Sequence, residues 1–298
     1  MMTIISVRHR AGLLVLFCLL LGRPALAQVD LSGSWAARNY EDALERGPGP
    51  YAVDYTGLPL TPEGRTKALA YSESQLSMIE RQCAGWPQFY LAMGPFGMKI
   101  WNETDPVSGE TIAWTIGAWE DRAPMTIWMD GRPRPSSSAL HSRSGFTTGT
   151  WEGETLVAYT THMKAGAIRR NGAPSSDEAT MTTRFIRHGD VLTLLVVVED
   201  PIYLSEPYMV SKNFQLDGNP ISPVGPPCVA GFEGASGVTP HYLPGQNPSV
   251  GELTTLYGIP REAILGGAAT LYPEYRKKLK VSFVRPEHCV RNCGGPPR

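Results

Sequence analysis

Alternating apolar and polar positions in the middle of the chain predict two consecutive β-hairpins. The first pairs Gly145–Trp151 with Thr155–His162, and the second pairs Met181–Arg187 with Val191–Val198. Both turns contain a central glycine, which tolerates the positive φ of tight hairpins. The arms are rich in Thr, Val, Tyr, Phe and Trp, and these residues favour strands.

Hairpin parity also predicts where the polar residues that flank the arms lie. If both turns are at one end of the sheet, the other ends of all four arms meet at the opposite rim. Continued alternation through the preceding segment would bring Asp130 and Arg132 to the same rim. We therefore expect this rim to carry the functional site, with these polar residues: His141, His162, Lys164, Arg169, Arg170, Asp177, Glu178, Glu199, Asp200 and Tyr203.

The rest of the pattern predicts a mainly β protein with two peripheral helical segments. One helix is expected over Thr61–Arg81, with Thr61 as N-cap, and one over Arg261–Lys280 with an interruption at two glycines. Val191–Val198 is apolar on both faces, which predicts that the helices cover its outer side. The expected fold is an antiparallel, calycin-like barrel or a strongly curved sheet, and the further strands are predicted at Lys99–Glu103, Thr111–Ile116, Met125–Asp130 and Tyr208–Leu216.

The N-terminal 27 residues have the pattern of a secretory signal peptide. A basic n-region at Arg8–Arg10 precedes a short apolar run, and Ala25–Ala27 supplies a small-x-small cleavage site. We expect cleavage before Gln28, export to the periplasm or beyond, and no membrane attachment afterwards. Residues 28–298 are then a single β-rich domain with a helical extension from about residue 248.

Four cysteines remain after this cleavage, and an even number in an oxidising compartment favours two disulfides. Of the three possible pairings we favour Cys83–Cys228 together with Cys289–Cys293. A zinc site formed by the last two cysteines and His288 is the alternative. It is the weaker interpretation, because a second paired motif is absent.

Charge and motifs exclude several classes of function. The formal net charge is −1, which gives no electrostatic basis for binding nucleic acid or an anionic membrane. The sequence contains no GxSxG elbow and no glycine-rich loop between a strand and a helix. We therefore expect no cofactor and a small molecule as the partner.

Four residues of the predicted rim suit acid–base catalysis. His162 is the first candidate, because imidazole titrates near neutral pH. Glu199 or Asp200 would orient it, and Tyr203 would donate a hydrogen bond to a developing oxyanion. The alternative is that each residue is hydrogen-bonded structure.

Other residues suit substrate binding. Arg169 and Arg170 would hold a carboxylate or phenolate, or would form ion pairs within the loop. The aromatic residues Trp114 and Trp128 either fill the core or line a ligand pocket. His141 and His162 with a carboxylate are a possible metal site, although no HxH or HExxH spacing supports it. The predicted substrate-binding set also contains His141, Lys164, Asp130 and Arg132.

Two resemblances extend this interpretation. The Gly-x-Trp at Gly33–Trp35 resembles the first-strand signature of lipocalin-like barrels, in which the tryptophan closes one end. The segments at Asp30–Trp35, Asp130–Pro133, Gly149–Val157 and Glu199–Pro201 together resemble a large group of exported bacterial proteins of unassigned function. The second resemblance covers about Asp30 to Cys228 and implies an exported β-rich domain.

Three functional hypotheses follow. The first is a periplasmic, cofactor-independent lyase or isomerase that acts on a small apolar or aromatic molecule. The second is a non-catalytic periplasmic carrier of such a molecule, and the third is a structural domain of the cell envelope. The enzyme would turn its substrate over, the carrier would bind a ligand without turnover, and the structural domain would have no ligand pocket.

Overall fold

The computed structural model describes residues 29–38, 51–72, 75, 78–83, 87–90, 97–117, 124–222, 228–231 and 242–279. The predicted signal peptide, Cys289, Cys293 and His288 lie outside the described residues. A disulfide between Cys83 and Cys228 is present, as predicted. None of the helices in the described ranges has the length and apolar composition to cross a membrane.

Nine strands form a closed barrel, which confirms the prediction of a mainly β fold. The barrel strands are β1 Gly33–Ala37, β2 Met98–Thr104, β3 Thr111–Gly117, β4 Met125–Trp128, β5 Phe146–Glu152, β6 Thr155–Thr161, β9 Thr180–His188, β10 Val191–Glu199 and β11 Tyr208–Asp217. Their order around the barrel is β1-β11-β10-β9-β6-β5-β4-β3-β2, and β1 pairs with β2 to close it. Two further short strands, β7 (Gly166–Ala167) and β8 (Pro174–Ser175), form a separate pair.

The two predicted hairpins are present and adjacent. β5 pairs with β6, β9 pairs with β10, and β6 pairs with β9 in antiparallel register. Leu156 lies opposite Phe185, so both hairpin turns are at the same end of the barrel, which we call the turn end. The opposite end is the rim. One neighbour pair departs from the antiparallel prediction, because β4 and β5 are parallel.

The tryptophan of the first strand lies inside the barrel near the turn end. Trp35 is fully buried, and its indole N–H donates to the carbonyl of Leu31 at 3.0 Å. Arg187 is the second-to-last residue of β9, and the centre of its guanidinium is 5.2 Å from the centroid of the Trp35 ring. These two side chains therefore lie together near the turn end of the barrel.

The helices are shorter than predicted, and the first predicted helix is divided. Thr61 is the N-cap and accepts a hydrogen bond from the Gly64 N–H, but the helix ends at Leu69 rather than Arg81. The glycines at 266 and 267 both have positive φ and interrupt the C-terminal helical region as expected. The helices are α1 Pro62–Leu69, α2 Ile79–Gln82, α3 Glu252–Tyr257, α4 Arg261–Ile264 and α5 Pro273–Lys278.

Four segments pack together on the rim, and we call them the cap: residues 51–72, 163–179, 200–206 and 242–272. Asn171 is fully buried and donates from its amide nitrogen to the carbonyls of Tyr51 and Asp54. Arg65 donates to the carbonyls of Leu265 and Gly266, which ties α1 to the C-terminal segment. The cap therefore brings four segments of the sequence together at the rim end of the barrel.

The outer side of β10 is not covered by the described helices, in contrast to the prediction. Outward positions of this strand are only half-buried, and Met209, the partner of Val197, is 61% exposed. The outward valines of β10 favour strand conformation and suit a half-exposed sheet surface, so they do not require a covering helix. Three of the described helices, α1, α3 and α4, belong to the cap instead.

Candidate functional site

The rim brings the two predicted histidines together. Their ring centroids are 5.1 Å apart, with 60° between the ring planes. The Nε2 of His162 donates to the carbonyl of Ser136 at 2.8 Å, and its Nδ1 is hydrogen-bonded to the Thr161 hydroxyl at 2.8 Å. The Nδ1 of His141 donates to the carbonyl of Met163 at 3.1 Å. Carbonyls only accept hydrogen bonds, so the nitrogen of each ring that faces a carbonyl carries a proton.

The strand alternation ends at Thr161 and does not continue to His162 and Lys164. Leu156, Ala158 and Thr160 face the interior and are fully buried, as one of the two predicted faces required. His162 then adopts a left-handed conformation with φ 57°, so the chain leaves the strand direction. Its ring contacts the loop between β4 and β5 at Ser136, and Lys164 is exposed. Neither residue continues the inner wall.

Asp130 and Arg132 do not lie at the rim, and the prediction that they do is wrong. β4 runs parallel to β5 with Trp128 level with Thr148, so the chain leaves β4 toward the turn end. Arg132 pairs with Asp130 at 2.6 Å and stacks 3.4 Å above the Trp128 ring. Hydrogen bonding from Arg132 lowers the pKa of the Asp130 carboxyl. The loop then crosses the outer wall, where Arg134 stacks on Tyr159.

Trp114 and Trp128 cannot line one pocket as predicted. Trp114 is paired with Ile127 and lies on the inward face, where both are buried. Trp128 is paired with Ala113, the residue before Trp114, so it lies on the opposite face. Only Trp114 is available to the barrel interior.

Asp200 is a buried structural acceptor. Its carboxylate accepts hydrogen bonds from the N–H and the hydroxyl of Ser176, at 2.6 and 2.8 Å. It also accepts from the N–H groups of Ile202 and Tyr203, at 2.9 and 3.0 Å. Asp200 is 3% exposed, so this carboxylate fastens two loops of the cap to each other.

The predicted catalytic set is not assembled in this structure. Among the described residues, His162 makes no hydrogen bond to Glu199, Asp200 or Tyr203. Glu199 is exposed at the end of β10. Tyr203 is half-buried, and its carbonyl accepts from the Thr61 N–H at 3.0 Å.

The predicted anion-binding arginines lie within the cap. Arg169 and Arg170 are half-buried in the turn that joins β7 to β8. The Nη2 of Arg169 donates to the hydroxyl of Tyr208 at 3.2 Å, and its guanidinium is 5.6 Å from that ring. Tyr208 is an inward residue of β11, so Arg169 connects the cap to the rim end of the barrel interior.

The predicted metal site has two of its three ligands together. Within the described ranges, no three His, Cys, Asp or Glu side chains are grouped closely enough to hold a metal ion. His141 and His162 are neighbours, but the described contacts bring no carboxylate to them. The two-histidine, one-carboxylate alternative is therefore not formed by the described residues.

The barrel interior contains a set of residues that the rim prediction missed. Five inward positions on consecutive strands carry small side chains and lie in direct register. A rung of larger residues follows toward the turn end, where Trp151, Leu156, Phe185 and Leu194 lead to Lys212. The five positions, which we call the small rung, are Gly149, Ala158, Thr183, Val196 and Val210.

Three polar atoms on this inward face are buried without a hydrogen-bond partner among the described residues. They are the indole nitrogens of Trp114 and Trp151 and the hydroxyl of Thr183. Thr183 is 1% exposed and Trp114 3% exposed. A buried donor without an acceptor costs about 1–3 kcal/mol, so three of them on one face need an explanation.

Lys212 is the buried cation of this interior. It is 2% exposed, and its direct partner on β10 is Leu194. Burial lowers the pKa of its amine to about 8. The sequence contains the signal for this site, because Tyr208, Val210, Lys212, Phe214 and Leu216 share one parity of the predicted strand.

Comparisons with protein-family models, with curated proteins and with solved structures each returned no match to this chain.

Proposed function

We propose that this protein binds a small, mainly apolar or aromatic molecule inside its barrel. The observation that carries the proposal is the set of buried donors without partners on the inward face: Trp114, Trp151 and Thr183. A ligand with hydrogen-bond acceptors would satisfy these donors. An apolar body would match the remaining inward residues.

The size of the barrel and the small rung support this proposal. Barrels of eight strands either fill with side chains or hold one small ligand, and this barrel has nine. The small rung removes side-chain volume from the wall across five neighbouring strands. Part of that space is occupied, because a Cβ on Gly149 would approach Ile127 and Met129 to 2.6 Å. The other four positions of the small rung are the stretch that a ligand would cover.

Aromatic inward residues on either side of the small rung also support an aromatic ligand. Phe185 and Trp151 lie on the turn-end side, and Tyr208 lies on the rim side. Aromatic side chains provide large contact area and prefer offset or edge-to-face contacts with another ring. A flat ligand between them would gain both contacts.

Binding is favoured over acid–base catalysis at the rim. The imidazole of His162 and the carboxylate of Asp200 both use their hydrogen-bonding positions on the protein itself. A general base needs a free position within reach of the substrate proton. The carrier hypothesis needs no such group.

Export remains part of this proposal. The disulfide between Cys83 and Cys228 is compatible with an oxidising compartment, as the predicted signal peptide requires. We propose a periplasmic or secreted carrier.

The test is the binding of phenylnaphthylamine, an uncharged dye that fluoresces in apolar sites. The wild-type protein and Val210→Phe, which fills the small rung from β11, are titrated alongside Met209→Phe. Met209 is the neighbouring outward residue and is 61% exposed, so its substitution is the matched control. We expect binding by the wild type and Met209→Phe, and loss of binding in Val210→Phe that folds normally by circular dichroism. Equal binding by all three proteins would place the dye outside the barrel and refute the proposal.

A further inference from the structure

A second rung of inward residues lies next to the small rung, two residues nearer the rim along β5, β6 and β9. We call it the rim rung. Its members are Cα partners in turn across five strands, from β3 to β9, and none of them is more than 3% exposed. The rim rung consists of Trp114, Ile127, Thr147, Thr160 and Met181.

The two threonines of the rim rung leave one donor open. The hydroxyl oxygens of Thr147 and Thr160 are 2.8 Å apart and are hydrogen-bonded to each other. Two hydroxyl groups carry two protons, and only one proton lies between the two oxygens. Neither hydroxyl has another hydrogen-bond partner among the described residues. The second proton is therefore a buried donor without an acceptor in that part of the chain.

This donor belongs to a one-sided group. Thr183 and Thr160 are diagonal neighbours on adjacent strands, so one ligand atom between them can contact both side chains. Trp114, whose indole N–H also lacks an acceptor among the described residues, lies on the rim rung itself. At the levels of the two rungs, β10 presents the buried valines Val196 and Val198. The open donors therefore face the interior from the wall between β3 and β9.

The open donors determine which ligand group fits this wall. An indole N–H only donates, and the spare hydroxyl proton of the threonine pair also needs an acceptor. A carbonyl oxygen has two lone pairs and no proton, so it satisfies two donors and adds none. These donors are neutral, and a charged group loses far more hydration on burial than a carbonyl does.

We infer that the ligand of the barrel is an aromatic or apolar carbonyl compound, a ketone, ester or quinone, whose oxygen accepts from Thr183 and from the Thr147–Thr160 pair. This inference rests on the proposed function. The apolar body would extend along the small rung toward Val196 and Val210. The second oxygen of an ester or a quinone would accept from an indole N–H.

Displacement of phenylnaphthylamine by a matched pair of probes tests the inference. Acetylnaphthalene and isopropenylnaphthalene, substituted at the same ring position, have the same shape and differ only where the ketone oxygen is replaced by a CH₂ group. We expect the ketone to bind the wild type at least about tenfold more tightly, because the hydrocarbon leaves the buried donors open. Thr183→Val keeps the size of the side chain and removes its hydroxyl. It should reduce the preference for the ketone at least about threefold and leave hydrocarbon binding within about twofold.

Two further variants make the test specific to these donors. The double variant Thr147→Val with Thr160→Val removes the threonine pair, and it should also reduce the preference at least about threefold. Thr182→Val is the matched control, since Thr182 precedes Thr183 on β9 and lies on the outward face. This control should keep the full preference for the ketone.

The outcomes separate this inference from the proposed function. If both probes displace the dye equally and Val210→Phe abolishes dye binding, the barrel is a binding site but the carbonyl inference is wrong, and an ordered water is left as the acceptor for these donors. A preference for the ketone that persists in Thr183→Val and in the double variant also overturns the inference. Tighter binding of naphthoate than of acetylnaphthalene would overturn it as well, because a charged group would then be preferred. If the dye does not bind the wild type, the proposed function and the inference are both refuted.

Discussion

Replacement of Asp200 by alanine should destabilise the protein by about 2–6 kcal/mol. The estimate comes from Ser176, whose N–H and hydroxyl both donate to this carboxylate within the buried part of the cap. Each buried donor left without an acceptor costs about 1–3 kcal/mol. The N–H groups of Ile202 and Tyr203 lose the same acceptor, but they lie in a partly exposed turn where water replaces it.

The measurement is urea unfolding of the oxidised protein. Glu199→Ala is the matched control, since Glu199 is the preceding residue and is exposed, and its loss should cost less than about 0.5 kcal/mol. Asp200→Asn should fall between the two, because its oxygen can replace Oδ1 while its NH₂ group faces the Ser176 N–H. If Asp200→Ala unfolds within about 0.5 kcal/mol of the wild type, the carboxylate does not fasten the cap and the reasoning is refuted.

Two further predictions concern positions where the ordinary expectation is reversed. Gly64→Ala should lower the melting temperature, because the new Cβ would lie 2.5 Å from the Tyr203 carbonyl oxygen, although alanine favours helices over glycine by about 1 kcal/mol. Lys67→Ala on the same helix is the control and should leave the melting temperature unchanged. A higher melting temperature for Gly64→Ala would contradict the contact. For Lys212 the pKa is about 8 when folded and 10.5 ordinarily, so between these values the unfolded chain binds more protons. The free energy of unfolding of the wild type, measured in urea relative to that of Lys212→Met, should therefore rise by about 3 kcal/mol from about pH 8 to about pH 10.5. A difference that stays constant over this range would contradict the burial of the amine.

The hairpins could be predicted because their signals are local. Period-two alternation and a central glycine set both the strands and their turns, and the register of β6 against β9 follows from the shared turn end. The predicted pairing of Cys83 with Cys228 is also confirmed, and it follows from the short spacing of Cys289 and Cys293, which suits a local loop. Neither prediction required knowledge of how distant segments pack.

The errors occur where the chain leaves a strand. His162 adopts a left-handed conformation that the sequence did not indicate, so its side chain is not on the predicted face. Asp130 follows a strand that runs parallel to its neighbour, and parity cannot be carried through the long connection that such a pair needs. The first helix ends at Leu69 instead of Arg81, and its Gly64 is in close contact with the Tyr203 backbone.

Lys212 could have been found from the sequence. It stands on the apolar parity of a predicted strand, between Val210 and Phe214. Lysines are rarely fully buried, so an alternation that contains one is easily interpreted as an exposed break in the pattern. The closed barrel removes that option, because every inward position of a closed sheet is enclosed.

Hydrogen-bond satisfaction ranks the candidate residues better than residue type does. Asp200 and His162 are the types most often used in acid–base chemistry, but their hydrogen-bonding positions are filled by the protein's own loops. Thr183 and Trp114 are types seldom used in acid–base chemistry, yet their buried donors lack partners among the described residues. In folded proteins, the great majority of buried donors have a hydrogen-bond acceptor. Donors that remain open therefore indicate where a molecule outside the chain is expected, and three of them lie on the inward face of the barrel.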